Sequence, residues 1–160
     1  MSILRLVKFL TQPLQQISKM YLLDTNVISE LRKIKSGKAD ENVQNWSFHI
    51  DPQLMYVSSI TIHELELGIL LAERTDQAKG RILRKWMNEH VIPAFENRIL
   101  SVDKNVVLVS AKYHVPDPKP YRETLIAATA VVHNMTVVTR NTGDFSLDKV
   151  KTLNPWNVKY

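Results

Sequence analysis

Short apolar runs separated by stretches of helical spacing recur along most of this chain, and that alternation constrains the fold more than any other feature. Residues 20–23 form a brief apolar run that ends at Asp24, and 54–57, 98–102 and 135–139 read as further strands. The last of these is a β-branched run bounded by Asn134 and by Arg140-Asn141, and 150–153 adds a short edge strand. Between them, helical spacing runs from Thr25 to about Ile34, then over 43–49, 61–74, 76–90 (stopped by Pro93), 103–112 (opened by an Asp cap) and 123–133. Val115–Pro120 holds three prolines and is expected to be a stiff extended loop. Strands alternating with helices form βαβ units, so the expected class is α/β with a mainly parallel central sheet flanked by helices. At 160 residues the chain has room for one such domain.

Composition removes several chemistries. No cysteine is present, which excludes a disulfide scaffold, a thiolate metal site and a cysteine nucleophile. The four glycines, Gly37, Gly68, Gly80 and Gly143, are too scattered for either common Gly-rich phosphate cradle. None of the five histidines falls in a metal-ligating spacing, and no serine sits in G-x-S-x-G. No apolar run approaches the length of a membrane span, so a cytoplasmic protein is expected. The formal charge of +5 divides unevenly: Arg5, Lys8 and Lys19 lie in residues 1–19 with no acid. That segment lacks a continuous apolar core and a small-residue cleavage site, and reads as an N-terminal extension rather than a secretory signal.

In open α/β sheets ligands collect beyond the carboxyl ends of the strands. Asp24 ends the first run, Glu64 lies early in the helix after the second, and Asn141 and Asp144 follow the fourth. Glu123 opens the helix preceding that fourth strand and is delivered by the proline-rich loop. Carboxylates converging without histidine or cysteine form the ligand set of a hard cation, Mg²⁺ or Mn²⁺. Each residue also has a purely structural explanation. Asp24 can cap a helix, Thr61-x-x-Glu64 fits a capping box, Glu123 meets a helix dipole favourably, and Asn141–Asp144 has the composition of a turn. Only their joint placement favours a site. Arg32, Lys33, Lys35 and Lys38, and more closely Arg122 and Arg140, are the basic residues positioned to meet phosphates; Lys79, Arg81, Arg84 and Lys85 read as a solvated helix face.

With those residues in view, the chain resembles a known family. LLDTNVISELRK (22–33), SSITIHELELGI (58–69), ETLIAATAVVHNMTVVTRNTGDF (123–145) and Leu153-Asn154-Pro155-Trp156 are similar, in order, to PIN-domain ribonucleases. The likeness is to the VapC toxins of bacterial toxin–antitoxin pairs, FitB-like subgroup, and it delimits a single PIN-like domain over residues 20–158. The resemblance implies a parallel sheet flanked by helices and a metal-dependent endoribonuclease acting on RNA. It also implies a homodimer, and an antitoxin whose tail enters the active crevice. Carried over by motif, Asp24, Glu64 and Glu123 would hold the metal, Asn141 and Asp144 would complete the catalytic set, and Thr139 and Asn26 would support it. The third acid departs from the pattern. The family usually places Asp before A-L-I-A-A-T-A, and here Glu123 precedes T-L-I-A-A-T-A. The longer side chain can overshoot a metal position, with Asp117 a conceivable substitute ligand. The alternative is a weakened module that binds antitoxin or RNA without efficient cleavage.

Overall fold

The computed structural model describes residues 19–160. The extension expected over residues 1–19 thus falls, apart from Lys19, outside the described residues. Five parallel strands, β1 (Tyr21–Leu23), β2 (Met55–Ser58), β3 (Ile99–Leu100), β4 (Thr136–Val138) and β5 (Lys151–Leu153), form one sheet in the order β3-β2-β1-β4-β5. The chain builds outward from β1 through β2 to β3, then returns to the other side of β1 for β4. The reversal of direction lies between β1 and β4, where an open α/β sheet presents its crevice.

Helices cover both faces. In chain order they are α1 (Thr25–Leu31), α2 (Glu41–Phe48), α3 (Ser59–Thr75), α4 (Gln77–Trp86), α5 (Ile92–Phe95), α6 (Lys104–Lys112) and α7 (Tyr121–Val132). The period-2 alternation of β1 divides the core. Tyr21 and Leu23 pack with Val27, Ile28, Trp46, Leu65 and Ile69 on one face, and Leu22 packs with Ile126, Ala127, Ala130 and Phe145 on the other.

The expected elements are found, with shifted ends. Asp103 caps α6 by accepting from the Val106 amide at 3.0 Å. Pro93 does not stop the fourth helical stretch: α4 gives way to a π turn over Met87–Val91, and the helix runs on through Val91 and Ile92 into α5, which contains Pro93. The helix after β2 starts at Ser59 rather than Thr61, because Ser58 takes the cap by accepting from the Ile60 amide at 3.1 Å. Thr61 is therefore an interior, fully buried residue, and the capping-box explanation of Glu64 is removed. Lys79, Arg81, Arg84 and Lys85 are not a uniformly solvated face either. Arg84 reaches back from α4 to pair with Glu66 at 2.6 Å and Glu73 at 2.9 Å on α3.

Candidate active site

The site starts from the β1–β4 register. Leu23 pairs with Val138, and the Asp24 amide continues the ladder by donating to the Val138 carbonyl at 2.9 Å. That places Asp24 beside Thr139 at the two strand ends. The Thr139 hydroxyl donates to Asp24 Oδ2 at 2.7 Å, while Asp24 Oδ1 accepts from the Thr25 amide at 2.7 Å and so caps α1. Asn26 ties the same corner together: its Nδ2 donates to Asp24 Oδ2 at 3.3 Å, and its Oδ1 accepts from the Arg140 amide at 3.3 Å. Asp24 thus caps α1 through Oδ1, as its structural explanation expects, while its Oδ2 accepts from Thr139 and Asn26.

Glu64 comes to this corner from α3. Its Oε2 accepts from the Thr25 hydroxyl at 3.0 Å and lies 3.9 Å from Arg122 Nη1. Thr25 is the functional neighbour that sequence reasoning missed, although it stands between two residues singled out. Glu123 arrives from the first turn of α7. Its Oε2 is buried and has no hydrogen-bond partner among the described residues. Asn141 and Asp144 follow β4 at the 3₁₀ turn Thr142–Phe145, where the Asn141 side chain makes no capping bond.

A cavity of about 310 Å³ joins these groups, lined by Asp24, Thr25, Asn26, Glu64, Arg122, Glu123, Ile126, Asn141, Asp144 and Phe145. All five expected site residues line it. Asp117 does not, nor does Arg140, whose guanidinium stacks over Trp156. Of the other expected basic residues, Arg32 and Lys35 border a separate apolar pocket with Trp86, and Lys33 pairs with Glu30 at 2.7 Å.

Four carboxylates share this cavity with a single lining guanidinium. Burial pushes the Asp24 carboxyl above its usual range, against the hydrogen bonds from Thr139 and Thr25, and the charges of Glu123 and Asp144 push it further. Glu64 is raised for the same leading reason, loss of solvent, with Asp24 and Glu123 adding to it and Thr25 and Arg122 opposing. The donors are all oxygen, and one buried carboxylate oxygen has no hydrogen-bond partner among the described residues. That chemistry fits a divalent hard cation. Among the described residues no three acid or histidine side chains already converge tightly enough to clasp one ion.

Comparison with known proteins agrees with this geometry. The family model described as PIN domain matches residues 21–151. Toxin FitB of Neisseria gonorrhoeae is 36% identical over 143 residues, covering 86% of this chain and 99% of that protein. VapC ribonuclease Y4jK of Sinorhizobium fredii is 34% identical over 150 residues, covering 86% and 98%. The crystal structure of FitAcB from Neisseria gonorrhoeae superposes with a TM-score of 0.77 at 34% identity, over 87% of this chain and 100% of that one. With the parallel sheet, the acid-lined crevice at its switch point and a match along most of its length, this chain belongs to the PIN-domain family.

Proposed function

We propose that this protein is a metal-dependent endoribonuclease that hydrolyses RNA phosphodiester bonds and serves as the toxin of a toxin–antitoxin pair. The observation that carries the reading is the convergence of Asp24, Glu64, Glu123 and Asp144, from well-separated parts of the chain, on one cavity whose lining holds a single basic side chain, Arg122. The names of its relatives support it: one is a toxin and another a VapC ribonuclease. Asp24, Glu64 and Glu123 would hold Mg²⁺ or Mn²⁺. When bound, that ion supplies charge neutralisation at the scissile phosphate and an acidified water.

The chain's own residues do the remainder. Thr139 and the Thr25 amide fix the Asp24 carboxylate at the cavity. Thr25 does the same for Glu64. Arg122 is loosely held at 3.9 Å from Glu64 and is free to swing to a phosphate oxygen, where charge grows as the bond breaks. Asn141 and Asp144, which line the same cavity, orient the attacking water by hydrogen bonds. The substrate is a single-stranded or looped RNA held by its backbone, and the setting is the cytoplasm. A toxin retained by the cell that makes it requires a neutralising antitoxin, and a homodimer is the expected assembly.

Asp24→Asn keeps the size of the side chain and its ability to cap α1, and removes the ligand charge. Incubated with total RNA and Mn²⁺, the variant is expected to have no cleavage activity while its circular dichroism is that of the wild type. Undiminished cleavage would reject the assignment. A second reading, a weakened module that binds antitoxin or RNA, is favoured by Glu123 standing where relatives by motif carry Asp. Glu123→Asp distinguishes the two: a gain in cleavage means that side-chain length limits the natural chain.

A further inference from the structure

The three central acids are secured unequally. Asp24 is tied by Thr139, Thr25 and Asn26, and Glu64 by Thr25 and Arg122, yet Glu123 Oε2 has no partner among the described residues. The location of that carboxylate therefore depends on the backbone that carries it. That backbone is the start of α7, whose cap position is Pro120 and makes no side-chain capping bond. Something else must hold this turn.

His114, in the turn just after α6, does so. Its Nδ1 accepts from the Lys119 amide at 3.2 Å, its Nε2 lies 3.0 Å from the Thr124 hydroxyl, and its ring packs on Tyr121 at 4.7 Å between centroids. All three partners surround Arg122 and Glu123. The network has one consistent direction. The buried Ser110 hydroxyl donates to Thr124 Oγ1, which spends its own proton on the Tyr121 carbonyl, each at 3.0 Å. Thr124 can then only accept from His114, so Nε2 carries the ring proton and Nδ1 is bare to receive the Lys119 amide. The imidazole thus bridges the residues that close the proline-rich loop to the first turn of the helix that bears the third acid.

We infer that His114 is a positioning residue for Glu123: by clamping Lys119 and Thr124 it sets where the start of α7 stands, and hence where the Glu123 carboxylate enters the cavity. A glutamate one methylene longer than the aspartate usual at this motif needs a backbone held at a fixed distance from the metal position, and the clamp supplies that restraint. The inference rests on the metal-binding reading of the cavity, and the test separates the two.

Mn²⁺ binding is measured by calorimetry on the full chain and on three variants. His114→Phe keeps the ring on Tyr121 and removes both hydrogen bonds, Thr124→Val removes the hydroxyl, and Thr124→Ser retains it. Loss of such a supporting partner typically costs about 10–100-fold in metal affinity. His114→Phe and Thr124→Val are expected to lose that much, with Thr124→Ser close to the wild type. Long-range ¹⁵N–¹H spectra of the metal-free wild type are expected to show His114 protonated on Nε2 alone, and exchange of the Lys119 amide should accelerate in His114→Phe. A folded His114→Phe with wild-type Mn²⁺ affinity, or a ring protonated on Nδ1, would overturn the clamp. If the wild type binds no Mn²⁺ the nuclease reading fails, and the clamp is then decided by the tautomer and the Lys119 exchange.

Discussion

Asp24 shows how one residue serves two ends. Its Oδ1 finishes the N-terminus of α1, its Oδ2 accepts from Thr139, and the residue lines the crevice. Because burial raises the folded-state pKa of both Asp24 and Glu64, the native protein holds their protons more tightly than the unfolded chain does. Their contribution to stability is therefore fully present below the ordinary carboxylate range, about pH 4, and is lost as pH rises through the folded values. Without metal, the Tm of the wild type relative to Asp24→Asn is expected to fall as pH increases from about 4. Scanning calorimetry on the two proteins across that range checks it. A pH-independent difference would mean that Asp24 titrates alike in both states. Asp24 was legible in the sequence because it ends a brief apolar run that is followed at once by helical spacing. Thr25 was not, because its role depends on Glu64 arriving from 39 residues away. Nor could the sequence show Glu123 Oε2 left without a partner, since that follows from how α7 is seated.

At the scale of elements, the strands were readable as short apolar runs, the fourth also by its β-branching, and the parallel arrangement from the helices between them. What escaped was competition between neighbours for the same job. Ser58 and Thr61 are both plausible caps, and Ser58 takes the cap of α3 because β2 runs on to it. Arg84 read as solvated because its partners Glu66 and Glu73 belong to another helix. The contact between α3 and α4 is close: a Cβ added at Gly80 would stand 2.6 Å from Glu73 Cα and 2.7 Å from its amide nitrogen, both backbone atoms. Gly80→Ala must separate the helices. The overpacking cost of about 1–3 kcal/mol outweighs the roughly 1 kcal/mol that alanine gains in helix propensity. A lowered urea midpoint is expected, and a raised one would show that the helices part freely. Since α3 carries Glu64, the same variant should weaken Mn²⁺ affinity.

For the whole molecule, fold and charge act together. The strand order places the reversal point between β1 and β4, and acids from β1, α3, α7 and the turn after β4 meet there. The chain carries a formal +5, part of it in residues 1–19, while its crevice is acidic and suits a cation. No helix among the described residues is long and apolar enough to cross a membrane. A ligand that binds only the folded state stabilises it by mass action, about 2.7 kcal/mol at a hundred times its Kd. Saturating Mn²⁺ is accordingly expected to raise the Tm of the wild type and to leave that of Asp24→Asn nearly unchanged; an equal rise in both would place the ion elsewhere.

The most direct measurement is calorimetric titration of Mn²⁺ into the wild type, Asp24→Asn, Glu64→Gln and Glu123→Gln. A saturable site present in the wild type and lost or severely weakened in each variant is the predicted result. Binding of equal strength in all four, or none in any, would contradict the claim that these three carboxylates share one cation.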